Sequence, residues 1–153
     1  MTDDRTARRV QVRGIVQGVG FRPFIFQLAE NYGLFGHVAN TSSGVDIHVE
    51  GDPARIEDFV AAIGAQAPPL AQITAVETRR TETDHYSEFQ IIASRRDEGR
   101  ATLISPDVSI CTDCLREVRD PEDRRFGYPF INCTNCGPRY TIIDDVPYDR
   151  PKT

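Results

Sequence analysis

The chain has 153 residues, of which 39% are hydrophobic, with a net charge of −5 and four cysteines. That length suits one ordinary domain with an appendage, and the acidic balance argues against a nucleic-acid footprint, which needs a basic face. The sequence has no 18-residue apolar run and its opening, MTDDRTARR, lacks the apolar core of a signal peptide, so a cytoplasmic protein with no membrane span is expected.

Residues 9–14, RVQVRG, alternate polar and apolar and predict a strand. A glycine-rich loop follows. From Phe21 to Tyr32 the apolar positions Phe21, Phe24, Ile25, Leu28, Ala29 and Tyr32 recur at helical spacing, with Pro23 in the first turn and Gly33 just past the end. Residues 34–40 and 45–50 read as the two strands of a hairpin around Thr41-Ser42-Ser43-Gly44, with Val45, Ile47 and Val49 facing in. Asp52 and Pro53 supply an N-cap and a first-turn proline for a second helix, which buries Ile56, Phe59, Val60 and Ile63 and ends at Gly64. Residues 73–81 and 87–92 are further strand material. The order βαββαβ predicts an α+β, ferredoxin-like fold, with two helices on one face of an antiparallel sheet. Polarity rises at Ser94-Arg95-Arg96-Asp97-Glu98-Gly99-Arg100, so residues 1–92 read as a first domain, 93–108 as a linker and 109–153 as a small cysteine-bearing segment. That last segment has too few apolar residues to hold a core without a staple.

Two features carry chemistry. The first is the loop Gly14-Ile15-Val16-Gln17-Gly18-Val19-Gly20-Phe21-Arg22. Small residues between a strand and a helix expose successive N–H groups to an anion, and the helix start adds its own unpaired N–H groups. Arg22 at the helix mouth offers a planar fork for two phosphate oxygens. The loop matches neither a Walker loop nor GxGxxG, and a tight turn followed by a solvent-facing arginine is the plainer alternative. The second feature is Cys111-Thr-Asp-Cys114 and Cys133-Thr-Asn-Cys136, with 18 residues between the pairs. Four thiolates at that spacing suit one closed, structural zinc site, while a redox pair, two disulfides or an iron–sulfur site are the alternatives. His37, His48 and His85 show no spacing to one another and read as surface residues, and Asp120–Arg125 reads as a solvated loop. Phe126, Tyr128, Phe130 and Tyr140 are expected to pack around the cysteine knuckles or against a neighbouring domain.

The loop Gly14–Arg22 resembles the phosphate-binding signature of acylphosphatases, and Gly36-His37-Val38-Ala39-Asn40-Thr41-Ser42-Ser43-Gly44 is similar to that family's second signature. The resemblance spans about residues 8–92 and implies the acylphosphatase fold. It further implies that Gln17, Gly18, Val19, Gly20, Phe21 and Arg22 bind phosphate and that Arg22 and Asn40 are catalytic, Asn40 by orienting the attacking water. It implies no metal in the reaction and no covalent enzyme intermediate.

Ser105–Cys114 and Phe126–Ile143 resemble the first zinc finger of the HypF family, the carbamoyltransferases of NiFe-hydrogenase maturation. That resemblance implies hydrolysis of carbamoyl phosphate here. It also implies ATP-dependent activation in downstream domains that this sequence lacks, and transfer to a C-terminal cysteine of the partner HypE. The chain departs from that family by stopping before a second set of CxxC pairs, which leaves the sharing of one zinc by Cys111, Cys114, Cys133 and Cys136 open. A stand-alone acylphosphatase with a zinc-stabilised tail, or a non-catalytic docking module, are the alternatives.

Overall fold

The computed structural model describes residues 4–96, 109–133 and 136. The expected linker residues 97–108, and Tyr140, lie outside the described residues. The elements are β1 (Thr6–Ile15), α1 (Phe21–Asn31), β2 (Phe35–Thr41), β3 (Gly44–Gly51), α2 (Pro53–Ala65), β4 (Gln72–Thr81), β5 (Phe89–Ile91) and α3 (Thr112–Arg119).

Five strands form one sheet in the order β4-β1-β3-β2-β5. The pairs β1–β3, β1–β4 and β2–β3 are antiparallel, as expected, but β5 runs parallel to β2. The sheet is therefore mixed, which corrects the all-antiparallel expectation. β4 occupies the free edge of β1, so the short β5 takes the opposite edge, along β2. There the Gly36 N–H donates to the Glu88 carbonyl at 3.1 Å and the Ile92 N–H to the Val38 carbonyl at 3.0 Å. The edge continues past β5, because the Arg95 N–H donates to the Asn40 carbonyl at 2.8 Å.

The helices cover one sheet face. Ile25, Leu28 and Ala29 of α1 and Ile56, Phe59 and Ile63 of α2 pack with Val10, Val12, Val38, Val45, Ile47 and Val49 of the strands. Each large apolar side chain so buried contributes on the order of 1.5–3 kcal/mol. Tyr32 is the C-cap of α1, and the N–H groups of Gly33 and Leu34 donate back to the carbonyls of Glu30 and Ala29 at 3.1 and 2.9 Å, a Schellman closure at the glycine foreseen there. α2 starts as expected, with the Asp52 carboxylate accepting from the N–H groups of Ala54 and Arg55 at 2.9 and 3.2 Å. It does not stop at Gly64. The helix runs through that residue to Ala65, because Ala62 and Ile63 hold the last turn on the core.

The other sheet face is polar and yet buried. Asp46, His48 and Glu50 alternate with the core residues Val45, Ile47 and Val49 of β3 and all are less than 9% exposed. This corrects the surface reading of His48. Asp46 accepts a two-pronged bond from Arg9, at 2.8 and 2.7 Å, and another from Arg95. Cross-strand pairing brings His37 opposite His48, and their rings stack with centroids 5.5 Å apart beneath Tyr86. His85 is exposed, as expected.

Candidate active site and cysteine cluster

β1 delivers the chain to the glycine loop through a bulge at Arg13/Gly14. A Cβ at Gly14 would lie 2.0 Å from the Gln72 carbonyl oxygen, so only glycine lets β1 and β4 approach there. The loop then turns through left-handed backbone at Gly18 (φ 71°) and Gly20 (φ 76°), and Gly20 is the N-cap of α1. No side chain caps this helix start. A helix start presents backbone N–H donors and the positive end of the helix dipole to an anion.

The loop's side chains divide in two directions. Val19 and Phe21 are buried in the core; Phe21 also lines the cavity between the loop and β2, whereas Val19, expected to bind phosphate, is not in its lining. Gln17, 4% exposed, sends its amide nitrogen across to the hairpin turn and donates to the carbonyls of Thr41 and Gly44 at 2.7 and 2.8 Å. Two buried hydrogen bonds of this kind are worth about 1 kcal/mol each, and they fix the loop relative to the end of β2. Asn40, 1% exposed, stands at that strand end.

A cavity of about 270 Å³ joins these parts. Gln17, Gly18, Gly20, Phe21 and Arg22 line one side, and Asn40 lines it with them. Residues predicted from two separate stretches of sequence therefore share one hollow, with a guanidinium, a helix start and a carboxamide around it. Such a hollow can hold a tetrahedral anion and place a water beside it. The lining also takes in residues outside the predicted phosphate-binding and catalytic set: Val16 and Pro23 at the two ends of the loop, Ile91 from β5, Asn132, and Cys133, which was expected only as a metal ligand.

The four cysteines meet in a second cluster. Cys111 is the N-cap of α3, and its sulfur accepts from the Cys114 N–H at 3.5 Å. Sulfur–sulfur distances are 3.6 Å for Cys111–Cys133, 3.8 Å for Cys114–Cys136 and 3.9 Å for Cys133–Cys136. All four lie within 4.8 Å of one another. A zinc ion with four bonds of about 2.3 Å sets its sulfurs about 3.8 Å apart, so the spacing fits one tetrahedral ion and is far too long for disulfides. Burial pushes the Cys114 thiol up, and hydrogen bonds with the sulfurs of Cys111, Cys133 and Cys136 push it the same way. Cys114 and Cys136 pack with Ile131 in a small core of their own. Phe126, Tyr128 and Phe130 do not join it and are about half exposed, which removes the packing role expected of them against the knuckles.

His48, Glu50 and Asp84 also bring ligand atoms within 4.8 Å of one another. There the Glu50 carboxylate already accepts from His48 at 2.8 Å and from the N–H groups of Asp84 and Tyr86, so the group holds the 84–86 loop onto the sheet.

The comparisons with known proteins agree with this geometry. The profile of the acylphosphatase family matches residues 8–91. An acylphosphatase of Thermotoga petrophila is 41% identical over 86 residues, which cover 56% of this chain and 94% of that protein. The chain therefore belongs to the acylphosphatase family, and its first domain is an acylphosphatase-type enzyme domain. Beyond it, the profile of the HypF finger matches residues 110–143. The carbamoyltransferase HypF of Rhodobacter capsulatus is 52% identical over 148 residues, 96% of this chain and 19% of that protein. A crystal structure of full-length HypF in a phosphate- and nucleotide-bound form superposes with a TM-score of 0.86 at 52% identity, over 97% of this chain and 20% of that one. The chain thus spans about a fifth of the length of the carbamoyltransferases it matches. Among the described residues, no helix is long and apolar enough to cross a membrane.

Proposed function

We propose that the cavity between the glycine loop and Asn40 hydrolyses carbamoyl phosphate to phosphate and carbamate. The observation that carries this reading is the meeting of Gly18, Gly20, Arg22 and Asn40 around one hollow, in a chain similar to HypF through both of its segments. The loop N–H groups and the Arg22 guanidinium hold the phosphoryl oxygens. Asn40 orients a water in line with the bond from phosphorus to the carbamoyl oxygen. Water attacks phosphorus, that bond breaks with its electron pair going to carbamate, and the water's protons pass to phosphate and solvent. The transition state is loose, with charge spread over the equatorial oxygens, so fixed donors supply most of the acceleration. Carbamate is a good leaving group and needs no dedicated acid.

In this reading the chain is the N-terminal part of a carbamoyltransferase of NiFe-hydrogenase maturation, at work in the cytoplasm. Downstream domains would convert carbamate to carbamoyl-adenylate with ATP and pass the group to the C-terminal cysteine of HypE. The zinc bound by Cys111, Cys114, Cys133 and Cys136 is structural, since four thiolates leave no open position for water.

Hydrolysis in ¹⁸O-labelled water tests the chemistry. Attack at phosphorus places the label in phosphate, and Asn40→Ala lowers kcat about 100-fold with KM little changed. Phosphate released without the label would overturn the assignment.

A further inference from the structure

The cavity is not made by the acylphosphatase domain alone. Its lining includes Asn132 and Cys133, which lie in the finger and far from the loop in sequence. The Thermotoga acylphosphatase matches 86 residues of this chain over 94% of its own length, so it has no counterpart of that wall. A wall added to a site whose anion-binding loop and Asn40 are complete without it changes which substrates fit, since the parts that hold the phosphoryl group stay the same.

The wall is also held in place. Ile131, 2% exposed, anchors one side of Asn132 in the finger core, and the Cys133 sulfur sits in the thiol cluster on the other. The Asn132 amide nitrogen donates to the Phe130 carbonyl at 3.2 Å, within the finger. An amide has two N–H donors and a carbonyl that accepts twice, so hydrogen-bonding capacity is left over for a substrate. Among the cavity residues contributed from outside the loop and β2, Ile91 is apolar, Cys133 belongs to the thiol cluster, and Asn132 brings the carboxamide. The cavity, about 270 Å³ and partly open, has room for a small acyl phosphate.

We propose that Asn132 determines the acyl specificity of the site: its carboxamide, fixed by the finger, pairs with the amide end of a carbamoyl-type acyl group while the loop holds the phosphoryl end. This rests on the hydrolase reading above and deepens it. A carbamoyl group offers both a donor and an acceptor to a carboxamide. Acetyl and benzoyl groups have no N–H to donate.

The test is kcat/KM for carbamoyl, acetyl and benzoyl phosphate on the whole zinc-loaded chain and on Asn132→Ala. Carbamoyl phosphate should lose about tenfold, one substrate hydrogen bond's worth, while acetyl and benzoyl phosphate, which offer no N–H, change less than about twofold. The dissociation constant of inorganic phosphate should stay the same, because its contacts lie on the loop. Asn132→Gln, which keeps the carboxamide on a longer stem, should recover part of the carbamoyl preference. Equal losses on all three substrates, or an unchanged carbamoyl-to-acetyl ratio in a variant that still binds phosphate and zinc, would overturn the role of Asn132 and leave the hydrolase reading standing. If the unsubstituted chain releases phosphate from none of the three, the hydrolase reading falls and this proposal falls with it.

Discussion

Glu50 shows how much the polar sheet face depends on individual protons. Its carboxyl is fully buried, and burial alone would raise its pKa. The hydrogen bond from His48, the Asp84 N–H, the charge of His48 and the Tyr86 N–H outweigh that effect and hold it below the ordinary carboxylate value. The unfolded chain therefore takes up this proton first. The stability Glu50 adds is complete above the unfolded value of 4.5 and is lost as pH falls through the folded one. His37 acts with the same sign. Burial, then the charges of His48 and Arg95, lower its pKa from 6.5, so the folded state is penalised from about that pH downward. The urea midpoint should fall steadily between pH 7 and pH 4. Glu50→Gln should cost roughly 2–3 kcal/mol at pH 7 by leaving donors poorly matched in a buried site, and should flatten the part of the curve below pH 4.5. A midpoint that does not move with pH would contradict this account of the network. The sequence did not disclose it. His37, His48 and Glu50 look like polar positions on the solvent side of two alternating strands, and only the return of residues 84–86 across that face buries them.

At the scale of elements, the strongly patterned pieces were legible. Asp52-Pro53 set the start of α2, Gly33 the end of α1, and the alternation Val45, Ile47, Val49 the inner face of β3, because each rests on local backbone chemistry that acts before any tertiary contact. Gly64 misled for a related reason. A glycine near a helix end often stops it, but here Ala62 and Ile63 are buried and carry the helix on to Ala65. Space around Gly64 is open, with nothing within 4 Å of an added Cβ. Gly64→Ala should therefore stabilise the fold by about 0.5–1 kcal/mol, read as a higher urea midpoint with an unchanged slope. A loss of stability would mean that residue 64 is not helical in solution. The parallel seat of β5 was equally hidden, since a three-residue strand carries no record of its partner. In the finger, α3 and the knuckles should bind one equivalent of zinc with release of thiol protons, and Cys114→Ser should abolish tight binding without changing the unfolding of the first domain. Two ions per chain, or none, would contradict a shared four-thiolate site.

For the whole molecule, the arrangement that matters is a cavity assembled from four separate stretches of chain: the loop and helix start, the end of β2, β5 and the finger. The loop and Asn40 were readable as candidates because glycine spacing, a helix-mouth arginine and the hairpin-end asparagine each have a local chemical meaning. Their convergence depends on the Gln17 bonds to the hairpin turn, and the contribution of Asn132 depends on how the finger is seated, so neither leaves a local mark in the sequence. The central claim is that this cavity hydrolyses an acyl phosphate with Arg22 on the phosphoryl oxygens. The most direct measurement is phosphate release from carbamoyl phosphate by the chain and by Arg22→Ala at matched folding and zinc content. The account predicts release well above background, falling by on the order of 100-fold or more in the variant. Equal rates for the two proteins, or no release from the well-folded chain, would contradict it.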